Sequence, residues 1–180
     1  MGADRNSARQ VLKVKFWGSR GSIATPGPKT LRYGGNTACV EVRYRNSVVV
    51  FDCGTGIREL GNSLQREFNG TPIHVHLFVS HTHWDHIQGF PFFTPAYAST
   101  NAITIYGLCS PDRTLEKAFR EQMDATFFPL PMDHLKSRIE FVEFTHAVEI
   151  DGATVTTKRV NHPGLASAFR IDVDGKSVVY

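Results

Sequence analysis

The chain has 180 residues, 41% hydrophobic and 21% charged, the balance of one folded domain rather than of a disordered or membrane-embedded polypeptide. With 20 Lys and Arg against 17 Asp and Glu the net charge is only +3, and no basic run gives the footprint of a dedicated nucleic-acid binder. Cys39, Cys53 and Cys109 follow no disulfide or Cys-x-x-Cys spacing, so they read as reduced core thiols of a cytoplasmic protein.

Residues 1–10 read as a polar leader without the apolar stretch of a secretory signal, and residues 11–180 as one domain. No stretch has the length of a membrane span. Residues 11–17 alternate, with Leu12, Val14 and Phe16 predicted on the buried face of a strand. Residues 18–36, rich in Gly, Pro, Ser and Thr, predict a long irregular loop of the kind that serves function. A hairpin follows, residues 38–43 and 47–52, turning at Arg45-Asn46. Its second strand is apolar throughout, as expected where both faces of a sheet are covered.

Ile57, Leu60, Leu64 and Phe68 recur at helical spacing after the Gly54-Thr55-Gly56 turn. A strand over residues 74–80 leads into a histidine-rich loop and a short apolar segment, followed by a strand over 102–106. Ser110-Pro111 predicts a helix start, with Leu115, Ala118, Phe119 and Met123 on its buried side. Short strands are expected at 139–144, 154–160, 167–173 and 177–180, the last two joined by a tight Asp174-Gly175 turn. The whole reads as a single α/β domain.

Chemistry concentrates at the end of the strand over 74–80, where His81, His83, Asp85 and His86 place four metal-ligand types in six positions. Imidazole with carboxylate suits zinc and related first-row cations better than Ca²⁺ or Mg²⁺, which prefer oxygen alone. His81 and His83, two apart on an extended segment, point to one side and can grip one ion. Asp85 and His86 are adjacent and diverge, which favours a second ion nearby. A metal-free surface loop is the alternative, weakened by the clustering of the four. His162 follows a predicted strand in an Asn-His-Pro-Gly turn, a good place for a further ligand. His74 and His76 are expected on the outer face of their strand, and His134 and His146 in loops, all four structural or solvated.

The order His-x-His-x-Asp-His after a strand resembles the signature of the metallo-β-lactamase superfamily. Residues 80–91, SHTHWDHIQGFP, are similar to one branch of it, which holds ribonuclease Z-like enzymes and the cyclic-phosphate diesterases of phosphonate utilisation. Residues 16–22 (FWGSRGS), 33–37 (YGGNT), 52–56 (DCGTG) and 161–163 (NHP) share that similarity. The resemblance implies an α/β fold, the αββα sandwich of the superfamily, without its C-terminal part. It implies that His81, His83 and His162 hold one zinc, and that Asp85 and His86 hold part of a second. Asp85 would also be the catalytic group that orients a metal-bound hydroxide. Asp52 would accept a hydrogen bond from a ligating imidazole, its alternative being a plain turn-forming aspartate.

The same pattern calls for a metal-bridging aspartate and one more histidine after the next strand, and neither occurs within the 180 residues. Three readings follow: a piece of a longer protein, completion by another chain, or a shortened fold that hydrolyses poorly. The implied activity is zinc-dependent hydrolysis of a phosphodiester: a cyclic nucleotide, a small diester or RNA. Alternatives are an acyl hydrolase (thioester, ester or lactam) on the same metals, or a non-catalytic metal-binding module. No membrane partner is expected, and homo-oligomerisation is left open.

Overall fold

Strand alternation and short polar turns sort the chain into two sheets, described by a computed structural model over residues 11–180. The leader expected at residues 1–10 lies outside the described residues. The first sheet takes its strands in chain order: β1 (Lys13–Gly18), β2 (Cys39–Tyr44), β3 (Ser47–Phe51), β4 (His74–Phe78), β5 (Ala102–Leu108) and β6 (Arg138–Phe144). β1 to β3 pair antiparallel through tight or looped returns, and β3 to β6 pair parallel. Parallel pairing demands crossovers, and these carry α1 (Gly56–Phe68), α2 (Trp84–Ile87) and α3 (Leu115–Gln122). The second sheet is an antiparallel meander of β7 (Ala147–Ile150), β8 (Ala153–Arg159), β9 (Ser167–Val173) and β10 (Lys176–Val179).

The period of two along β3 explains its unbroken apolar run. Val48 and Val50 join the core beneath the helices with Ile57, Leu60, Leu64 and Phe119. Val49 and Phe51 face the other way, into a second core with Phe78, Phe169 and Ile171 between the sheets. Phe51 lies within 5.3–5.8 Å, centroid to centroid, of Tyr180, Phe78 and Phe169. Helices, sheet and sheet thus form three stacked layers, an α/β architecture. Among the described residues no helix is long and apolar enough to cross a membrane.

Several local expectations change. β1 sits at the sheet edge, so Val14 and Phe16 are 40% and 70% exposed and only Leu12 of that face packs against the inter-sheet core. α3 starts at Leu115 rather than near Ser110, because Thr114 Oγ1 accepts from Lys117 N and Glu143 accepts from Leu115 N. β7 was not foreseen. His76 is buried and faces the second sheet, not the outside, with Nδ1 3.1 Å from Tyr106 Oη and Nε2 near Asp151. Cys39 and Cys53 are buried core thiols as expected, but Cys109 is exposed at the end of β5.

Candidate metal centre

Parallel strands end together, and side chains that leave the sheet there converge in a crevice. β3 delivers Asp52 and β4 delivers Ser80 and His81 to that edge. Asp52 adopts a left-handed φ of 59°, a conformation Asp tolerates better than most residues, and its carboxylate is fully buried. Four donors satisfy it. Ser80 N–H donates to Oδ1 at 2.7 Å, while Ser80 Oγ (2.7 Å), His86 Nδ1 (2.6 Å) and Tyr180 Oη (2.7 Å) surround Oδ2.

These bonds select ring tautomers. Ser80 Oγ has one proton and gives it to Asp52, so it accepts from His81 Nδ1 at 3.0 Å. His86 Nδ1 likewise donates to Asp52. In its neutral form each ring then carries its lone pair on Nε2, as a metal ligand requires. Burial, and after it the neighbouring His86, lowers the His81 pKa to about 4, so the ring is neutral at pH 7. Burial also works against a charged His86, but the bond and charge of Asp52 outweigh it and raise that pKa.

The histidine loop is held by glycines. A Cβ on Gly89 would sit 2.0 Å from the Gly54 carbonyl oxygen, and one on Gly54 would sit 2.2 Å from the Asp85 carbonyl oxygen. This close approach lets Cys53 N–H reach the His86 carbonyl (2.7 Å) and Gly89 N–H reach the Cys53 carbonyl (2.9 Å). The segment 52–56 is therefore a cradle for residues 85–89.

His162 arrives from the second sheet, in the turn between β8 and β9. Ser167 N–H donates to the Ser80 carbonyl at 3.0 Å and ties that turn to the histidine loop. His162 Nε2 and His83 Nδ1 come within 3.2 Å, and the ring centroids of His81 and His162 within 4.5 Å. One ligand atom from each of His81, His83 and His162 lies within 4.8 Å of the other two. Such a group could hold one metal ion. His83 and His162 are exposed, so the centre is open to solvent.

Asp85 and His86 stand beside it. Asp85 Oδ2 accepts from Ser22 N–H at 2.8 Å and lies 3.3 Å from His86 Nε2. Partial burial raises the Asp85 pKa, but the Ser22 N–H and the charge of His86 prevail and lower it. Ser22, from the long loop over residues 18–36, connects that loop to the centre. Among the described residues His74, His76, His134 and His146 join no metal-binding group. Asp172 and Asp174 point elsewhere, to Arg170 and Arg45. Sequence reasoning missed Ser80, Ser22 and Tyr180. Ser80 stood in the quoted motif, directly before His81, and its position was the available signal.

Comparison with known proteins bears on the family and the fold. Residues 47–180 match the model of a family described as "Beta-lactamase superfamily domain". The chain is 26% identical over 157 residues to cleavage and polyadenylation specificity factor subunit 3 of Dictyostelium discoideum, covering 79% of this chain and 20% of that one. It is 23% identical over 168 residues to ribonuclease Z of Synechococcus sp. (strain CC9311), covering 89% and 49%. The chain thus spans about half or less of the length of these curated relatives. The metallo-β-lactamase fold protein YhfI of Bacillus subtilis superposes with a TM-score of 0.62 at 19% identity, covering 94% of this chain and 61% of that one. With the fold, the cradle and the histidine cluster in place, the chain belongs to the metallo-β-lactamase superfamily.

Proposed function

We propose that the protein is a zinc-dependent phosphodiesterase, with a cyclic nucleotide, a small phosphodiester or RNA as substrate. The observation that carries this reading is the convergence of His81, His83 and His162 within 4.8 Å, beside Asp85 and His86. The donor set fits the metal. Three imidazoles, with His81 neutral at pH 7 and its Nδ1 proton fixed by Ser80, are a zinc set with room for further ligands. His81, His83 and His162 would hold one zinc ion, and Asp85 and His86 would contribute to a second. Bound zinc would supply Lewis acidity for activating water and for stabilising charge on phosphoryl oxygens.

The protein's own groups do the positioning. Asp52 fixes the ring of His86 directly and that of His81 through Ser80. Asp85, held by Ser22 N–H, orients the attacking water. The phosphodiester preference rests on the ribonuclease Z relatives, to which this chain is 23% identical over 168 residues and 35% identical over 81 residues in two cases. An acyl hydrolase on the same centre is the rival. A panel of phosphodiester, thioester and lactam substrates assayed with the zinc-loaded protein separates the two. Turnover of the phosphodiesters is expected, and turnover of acyl substrates alone would overturn the reading.

A further inference from the structure

β10 runs to Val179, and the residue after it continues the ladder with β9. Tyr180 N–H donates to the Phe169 carbonyl at 2.8 Å, and Phe169 N–H donates to the Tyr180 carbonyl at 3.0 Å. The Tyr180 ring leaves the second sheet and stacks on Phe51, with 5.3 Å between centroids and 13° between planes. Phe51 is fully buried and directly precedes Asp52. Beyond that stack the hydroxyl reaches Asp52 Oδ2 at 2.7 Å. A buried phenol needs a hydrogen-bond partner, and here the partner is the carboxylate that holds the histidine rings. Burial, and after it the charge of Asp52, raises the Tyr180 pKa, so the hydroxyl keeps its proton and donates it.

Ladder, stack and hydroxyl hold Tyr180 at three points. A phenylalanine would fill the same space on Phe51, so packing does not explain the hydroxyl. That group acts on one atom. Asp52 Oδ2 meets Ser80 Oγ, His86 Nδ1 and Tyr180 Oη, while Oδ1 accepts from Ser80 N–H. Three of these four donors belong to β4's end and the histidine loop. Only Tyr180 Oη comes from the second sheet, which also brings His162.

We infer that Tyr180 is a positioning residue for the metal centre: its hydroxyl fixes the Asp52 carboxylate against the second sheet, and so sets the rings of His86 directly and of His81 through Ser80. The second sheet then contributes to the centre twice, by the ligand His162 and by the direction of the carboxylate that orients two others. The inference rests on the reading of His81, His83, His162 and their neighbours as a metal centre, and not on the substrate.

Tyr180→Phe tests it, because that change removes the hydroxyl and keeps the stack and the ladder. Phe144→Leu is the control, since Phe144 lies in the same core between the sheets and offers Asp52 no hydrogen bond. Two measurements are made on each full chain and on the natural one. The first is zinc affinity, by competition with a chromophoric chelator. The second is the ring-nitrogen NMR spectrum of the histidines in metal-free protein, recorded at a pH where the rings are neutral. Tyr180→Phe is expected to bind zinc about tenfold more weakly. Its His86 ring is expected to exchange a single Nδ1–H form for a mixture of both tautomers. Phe144→Leu is expected to unfold at lower urea concentration with both readings unchanged. A zinc affinity in Tyr180→Phe within about twofold of the natural chain would overturn the inference. So would an equal loss of affinity in Phe144→Leu, which would make the effect a loosening of the core. A natural chain that binds no zinc would sink the metal reading instead. The ring signals need no metal and would then decide alone, an unchanged His86 tautomer in Tyr180→Phe overturning the positioning role.

Discussion

Asp52 shows how one buried charge can organise several ligands. Its two oxygens accept from Ser80 twice, from His86 and from Tyr180, so the carboxylate meets no unpaired donor and leaves none behind. Asp52→Asn keeps the left-handed backbone within reach, because Asn also tolerates it, but turns an amide N–H₂ toward some of these donors. We predict a stability loss of about 2–3 kcal/mol by urea denaturation. Zinc affinity should also fall by about 10–100-fold, since a displaced outer partner no longer fixes the rings. Unchanged stability and unchanged affinity together would show that Asp52 is only a turn residue. The loop over residues 81–86 was legible in sequence because its ligand types are contiguous. Tyr180 was not, because its contact with Asp52 spans 128 positions and no local pattern encodes it.

At the scale of elements, the strands that read correctly are those with a clean period or a turn signal at both ends. β3 and the β9–β10 hairpin are of this kind. β7 carried a signal that went unused: Asp151-Gly152, both with positive φ (48° and 80°), repeats the chemistry of Asp174-Gly175 (49° and 74°). β1 was misread because alternation predicts a face but not whether another sheet covers it. Docking of β4 against the β7–β8 turn gives a pH prediction. Ser47 Oγ, foremost, and then the charge of His76 hold the Asp151 carboxyl below its ordinary value of 3.8. His76 Nε2 lies 3.3 Å from Asp151 Oδ2 but off the hydrogen-bonding line, so that contact is coulombic. Burial, then His74, lowers the His76 pKa below its ordinary 6.5 despite Asp151.

The signs agree at both groups. His76 is neutral in the fold and protonates first in the unfolded chain, so its contribution is complete above 6.5 and declines as the pH falls below it, until its folded value is passed. Asp151 contributes above 3.8 and is lost as the pH falls through its depressed folded value. His76→Gln lowers stability at every pH by removing a buried bond, but its diagnostic effect is on slope. Below pH 6.5 the natural chain should lose stability more steeply than the variant, by up to about 1.4 kcal/mol per pH unit. Parallel stability curves between pH 5 and pH 7.5 would contradict the assignment.

Across the whole molecule, the centre exists only where the two sheets meet. The first sheet brings Asp52, His81, His83, Asp85 and His86 to one edge, and the second brings His162, fastened by Ser167 to the Ser80 carbonyl. Composition and periodicity gave the α/β class and most strands, and the resemblance gave the sandwich. The docking of the sheets and the cradle formed by Gly54 and Gly89 depend on contacts distant in sequence, and no local period reports them. The most direct test of the central claim is zinc content after dialysis, measured by elemental analysis for the natural chain, His83→Ala and His134→Ala. The natural chain and His134→Ala should each retain at least about one ion, and His83→Ala, altered at an exposed ring that leaves the core intact, should lose it. Equal zinc in His83→Ala, or its loss in His134→Ala, would contradict a centre built on His81, His83 and His162.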